Sequence, residues 1–177
     1  MRRLPPPAEA KLAAVSAPSE HRSLLMKANR QLGLTLSDRN LLSAGQLQEA
    51  NDRWLEWVSG GERGASLLRV LTQSLKFLRE EDVLRHAMEH EGAGLVDLRD
   101  FDVPDEFRRL PDPGACWATW TVPFDKLDGF TCLASAYVLS PVAKAHWEAQ
   151  IQGPVLWFGT TLDGVAEHLG RLGTPAR

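Results

Sequence analysis

The sequence predicts an α+β protein: a helical first part, followed by a small mixed sheet in the order ββαβα. Three observations carry that prediction. Apolar residues recur every three or four positions up to about Leu95, the spacing of helices with one buried face. From Cys116 to Val138 the pattern changes to extended, β-branched and aromatic segments around Asp128-Gly129, a pair suited to a tight hairpin. Beyond Ser140-Pro141 the helical spacing returns, interrupted by one short apolar run at 154–158.

Taken in order, residues 1–20 are rich in Pro, Ala and Ser with few large apolar groups. They bury too little surface to offset chain entropy and read as a disordered arm. A short helix begins near His21 with Leu24, Leu25 and Ala28, and Leu32–Leu36 forms one or two further turns ending near Asn40. The next helix, Ala44–Val58, opens with Ser43 and Gln46 in capping-box spacing; Leu47, Ala50, Trp54 and Val58 share a face, and Gly60-Gly61 stops it. Ala65–Leu75 repeats the helical spacing. Glu80, Glu81 and Asp82 then favour the positive end of a helix whose stripe is Val83, Leu84, Ala87 and Met88, closed by Gly92.

A strand over Leu95–Leu98 leads to an irregular acidic stretch, Asp100–Pro113, where the halves divide. Strands Cys116–Phe124 and Phe130–Val138 follow, with Pro123 marking the first as an edge strand or one close to its end. Ser140-Pro141 caps a crossover helix to 151, with Val142, Ala145 and Ala149 facing inward. Pro154–Phe158 is a buried strand set parallel by that crossover, and Thr161 caps a last helix carrying Leu162, Val165, Ala166, Leu169 and Leu172. The expected organisation is an arm over 1–20, a helical subdomain over 21–94, a ββαβα subdomain over 95–172, and a tail or start of a linker over 173–177.

The 177 residues, 44% hydrophobic and 24% charged, suit one domain or two small ones. A net charge of −3 and pI near 6.0 argue against nucleic acid or an anionic membrane as partner. No apolar run approaches the roughly 20 residues that span a bilayer, and the basic start lacks the hydrophobic segment of a signal peptide. Cys116 and Cys132 read as buried free thiols in a reducing cytoplasm rather than a cross-hairpin pair.

Catalytic signatures are sparse. P-loop, dinucleotide-binding and nucleophile-elbow motifs are missing. His86 and His90 share a helix face, but no further ligand stands at a metal-site spacing, so a solvated charged face is expected. Asp97, Asp100, Asp102 and Asp105 read as a solvated acidic loop. Trp117, Trp120, Trp147 and Trp157 read as core or interface rings. Neither a cofactor nor a metal is implied.

Four short motifs resemble a known family: Leu-Arg-Glu-Glu-Asp-Val-Leu at 78–84, Gly-Leu-Val-Asp-Leu at 94–98, Leu-Ser-Pro at 139–141 and Gly-Pro-Val at 153–155. With the order of elements, they resemble over residues 30–172 the N-terminal (MshEN-type) domain of type II secretion and type IV pilus assembly ATPases. The resemblance implies a non-catalytic regulatory or protein-interaction module in the cytoplasm. Its partner would be a secretion or pilus platform component or an ATPase core, and Trp54 and Trp57 are candidate interaction residues. Some members bind cyclic di-GMP through two 24-residue motifs that begin Arg-Leu-Gly and close with glutamine. The first copy would run 31–54, with Gln31, Leu32, Gly33, Leu36, Leu41 and Leu47 at ligand-binding places. Here Gln31, Asn40 and Trp54 replace the arginine, turn glycine and glutamine. The second copy, 67–90, is largely lost, with Leu67, Arg69, Lys76 and His90 at its key places. An eroded nucleotide motif on a retained fold is therefore expected, and a cyclic di-GMP receptor is the alternative.

Overall fold

The computed structural model describes residues 18–110 and 112–173. Most of the expected arm, residues 1–17, lies outside them, as do residues 174–177 of the tail; Pro18–Glu20 already belong to a helix. That helix, α1 (Pro18–Asp38), runs unbroken where two separate pieces were expected. Gly33 is no helix stop. A Cβ there would sit 2.7 Å from Leu47 Cδ1 and 3.0 Å from Leu67 Cδ2, so the glycine serves close helix packing. The chain turns out of α1 at Asn40, which adopts the left-handed conformation (φ 57°).

Helix α2 (Ala44–Ser59) has the expected capping box: Ser43 Oγ accepts from Gln46 N at 3.2 Å, and Gln46 Oε1 accepts from Ser43 N at 3.1 Å. Helix α3 (Leu67–Arg69) passes directly into a π-helical turn over Val70–Ser74, so the expected helix through Leu75 is present in a widened form. In α4 (Glu80–Glu91), Val83, Leu84 and Ala87 are buried and Gly92 ends the helix at φ 66°, but Met88 lies outside the stripe, 46% exposed.

Strand β1 is only Gly94–Leu95, because Asp97 caps a 3₁₀ turn over Leu98–Asp100 instead of extending the strand. The acidic stretch holds a short helix, α5 (Asp105–Arg108). The largest correction follows: Cys116 lies not on a strand but in α6 (Pro113–Thr119). Asp112 caps this helix through Ala115 N at 3.1 Å, Pro113 takes the first position, and Trp120 leaves it at φ 48°. Strands β2 (Thr121–Leu127) and β3 (Phe130–Ser135) then meet at Asp128 (φ 49°) and Gly129 (φ 84°), as the Asp-Gly pair predicts. Pro123 stands at a register shift on the outer strand, where its missing N–H is harmless.

Helix α7 (Pro141–Gln150) buries Ala143 and Trp147; Ala145 and Ala149 are exposed and Val142 half-buried, contrary to expectation. Its rotation is set by Trp147, whose Nε1 donates to Thr119 Oγ1 at 2.9 Å. Strand β4 (Val155–Gly159) and helix α8 (Leu162–Arg171) complete the fold. The sheet order is β1-β4-β3-β2: β4 is parallel to both β1 and β3, and β2 is antiparallel to β3. This is the α+β class, with a helical first part and a four-stranded mixed sheet.

One continuous core joins the two parts. A polar chain runs through it. Asn29 Nδ2 donates to Leu25 O at 2.8 Å, and Asn29 Oδ1 accepts from Leu67 N at 2.9 Å and from the Tyr137 hydroxyl. Tyr137 also meets Ser66 Oγ at 2.6 Å, and Ser140 Oγ donates to Ala28 O at 2.9 Å. Asn29, Ser66, Tyr137 and Ser140 are all fully buried.

Buried His168, on α8, makes stability depend on pH. Burial lowers its imidazole to about 4, and Arg171 beside it acts in the same direction. Above about pH 6.5 both folded and unfolded states hold it neutral; between 6.5 and 4 only the unfolded chain binds the proton, so stability falls as pH falls. Denaturant titrations should show this loss, up to about 1.4 kcal/mol per pH unit, and His168→Leu should reduce it. An equal acid slope in the variant would contradict the assignment.

Candidate functional site

An open groove of about 440 Å³ lies among the described residues. Three segments build it: the first turns of α1, the loop after α2, and the start of α6. Leu25, Val58, Ala65, Trp117 and Ala118 give it an apolar lining, with Arg22 and Glu62 also at its wall. The groove exists because α1 and α6 are pinned at one end. His21 Nε2 lies 2.6 Å from Asp112 Oδ1, and the same oxygen caps α6. Gly114 makes room for that contact, since a Cβ on it would fall 2.3 Å from the His21 ring.

The ionisable groups near this end are committed to structure. His146 is held below the usual histidine range, first by burial, and its Nε2 has no partner among the described residues. Burial pushes the Cys116 thiol far above the range of a reactive thiol, and Cys132 is shifted upward for the same reason. Both cysteines are free. Among the described residues no group of three or more His, Cys, Asp or Glu side chains converges in a way that could hold a metal.

The residues singled out from the sequence fall elsewhere. Leu32 and Leu36 are fully buried, and Gly33 is covered by Leu47 and Leu67, so these three face the core. Gln31, Leu41 and Leu47 are half-buried. Trp54, a candidate interaction residue, is only 3% exposed and packs inside; Trp57 is half-buried at the core's edge. The amphipathic spacing of α2 points Trp54 inward with Leu47 and Ala50, which is why it presents no surface to a partner. The rings of His86 and His90 lie against each other, tilted by 42°, with centroids 4.1 Å apart. Arg39 approaches His86 Nε2 at 3.3 Å and pairs with Glu91, which also takes Lys144 at 3.2 Å. Burial, His90 and Arg39 together hold His86 below the usual histidine range, consistent with a structural crosslink of α1, α4 and α7. The groove residues were not found from the sequence, although Asp112-Pro113 carried the same cap signal that was read at Ser140-Pro141.

No protein-family model matches the chain, and no curated protein matches it by sequence. Solved structures do. MshE with cdg (cyclic di-GMP) aligns at a TM-score of 0.49 and 17% identity, over 80% of this chain and 97% of that one. The N-terminal domain of XpsE aligns at a TM-score of 0.46 and 20% identity, over 89% of this chain and 99% of that one.

The close fit of Gly114 is open to test. Gly114→Ala should force the His21 ring off Asp112 and lower stability by about 1–3 kcal/mol, the usual cost of overpacking. A melting temperature equal to or above that of the wild type would show that the ring has room to move without loss.

Proposed function

We propose that the chain is a non-catalytic docking or regulatory module of a type II secretion or type IV pilus system, working in the cytoplasm on a protein partner. The observation that supports this most is the groove beside α1 and α6: an open apolar hollow with charged groups at its wall, suited to an apolar side chain of another protein. The histidine and carboxylate closest to it are spent on each other and on a helix cap, which leaves them structural work.

The motifs behind the family resemblance act as joints of the fold. Glu80 Oε1 accepts from Leu162 N at 2.6 Å, tying the start of α4 to the start of α8. Gly94 lets β1 pass the Phe158 ring, which a Cβ would approach to 2.9 Å. Ser140 caps α7 and at the same time holds α1. Such uses are what a retained scaffold requires.

The proposal includes loss of the cyclic di-GMP grip. Arginine forks and exposed glycine backbone would anchor a dianionic ligand. Gln31 and Asn40 offer neither charge nor an open glycine, and Gly33 is sealed by side chains.

Calorimetry with the soluble part of a platform component and with cyclic di-GMP tests both halves. The protein should bind the platform component, Val58→Arg should weaken that binding at least tenfold with the melting temperature kept, and cyclic di-GMP should give no heat. Platform binding untouched by Val58→Arg would overturn the groove as docking site. Saturable heat with cyclic di-GMP, lost in Gln31→Ala, would favour the receptor reading.

A further inference from the structure

The outer faces of α1 and α2 carry opposite charge in matching spacing. On α1, Lys27, Arg30 and Leu34 follow one another at three and four residues along an exposed stripe. On α2, Glu49 and Asp52 stand three apart on an exposed stripe, and exposed Leu55 follows. Leu34 and Leu55 are 42% and 43% exposed. Residues three and four apart on a helix are neighbours on one surface, so each set forms a continuous strip.

These charges have no partner of opposite sign among the described residues. Elsewhere on the surface cations do find carboxylates: Arg85 lies 3.1 Å from Asp82, Lys126 2.7 Å from Glu106, and Lys144 3.2 Å from Glu91. On α2 Arg53 lies 3.7 Å from Glu56, which leaves Glu49 and Asp52, one turn apart, unmatched; on α1 the cations Lys27 and Arg30 stand one turn apart, also unmatched. Repulsion within each strip is mild in water but is relieved by a strip of the other sign.

We propose that a second copy of this chain docks here, with the α1 strip of one protomer along the α2 strip of its partner. Laid parallel, Lys27 meets a Glu49, Arg30 meets an Asp52, and Leu34 meets the turn that bears Leu55. A twofold axis between two copies repeats the contact, giving a closed dimer rather than an open chain. On α2 the strip ends at Leu55, three residues before the groove residue Val58, so the two surfaces adjoin there. Exposed ion pairs contribute little each and are screened by salt, which makes the dimer weak and strongly dependent on ionic strength.

Sedimentation equilibrium on the whole chain tests the proposal. The wild type should dimerise at low salt, and the dissociation constant should rise at least tenfold between about 0.01 M and about 1 M salt, as the Debye length falls from about 30 to about 3 Å. Lys27→Glu with Arg30→Glu should give a monomer, as should Glu49→Lys with Asp52→Lys. An equimolar mixture of the two doubly substituted proteins should restore a one-to-one dimer. A wild type that stays monomeric at low salt overturns the proposal, and so does a dimer indifferent to salt or a mixture that does not associate. Should a substituted protein fail to fold by circular dichroism, the salt dependence of the wild type decides alone.

Discussion

The structure depends on one buried polar contact: the Tyr137 hydroxyl on Asn29 Oδ1, with Ser66 Oγ and Leu67 N completing the set. Each of these groups, had it lost its partner inside the core, would cost about 1–3 kcal/mol. Their positions tie distant parts of the chain together: the middle of α1, the start of α3, and the segment just after β3. Helical and sheet parts can therefore dock in one way. Apolar packing alone tolerates small slides, whereas this set of donors and acceptors is satisfied at a single register.

A second tier of polar contacts extends that register. Ser135 Oγ accepts from Thr121 Oγ1 at 2.8 Å and from Tyr137 N at 2.9 Å, which fixes how the chain leaves the sheet toward α7. Ser140 then reaches back to α1, and Trp147 reaches across to Thr119 at the end of α6. With α6 held there and by the His21–Asp112 contact at its start, the groove between α1, α6 and the loop after α2 has fixed walls. The shape of the groove is thus a consequence of the same network that orders the core. Glu80 adds the remaining link, from α4 to the start of α8, where burial raises its carboxyl above the usual range while the bond from Leu162 N acts to lower it.

Much of the fold was legible because several signals are local. The capping box at Ser43-Gln46, the Asp128-Gly129 turn, the caps at Ser140 and Thr161, and the left-handed stop at Gly92 each need only a few neighbouring residues. What was hidden is tertiary. The continuity of α1 through Gly33 is one case, since the close packing that the glycine permits shows only once Leu47 and Leu67 are seen against it. Cys116–Thr119 reads as a strand because its bulky neighbours resemble one, while the helix is decided by Asp112 and by contacts with α1. The inward face of α7 follows from a bond made by Trp147 to another helix. The groove was illegible for the same reason, since its lining comes from three separated segments. The first-copy residues Leu32 and Leu36 were correctly apolar, but only the packing reveals that they are fully buried in the core.

A double-mutant cycle on Asn29→Ala and Tyr137→Phe, followed by denaturant unfolding, tests the central claim most directly. Two probes would be read together: far-ultraviolet circular dichroism for the helices, and the fluorescence of tryptophans on α2 and beside the sheet. A coupling energy above about 1 kcal/mol, with both probes reporting one transition, is the predicted result. Additive effects within about 0.3–0.5 kcal/mol, or a helical part that melts apart from the sheet, would contradict it.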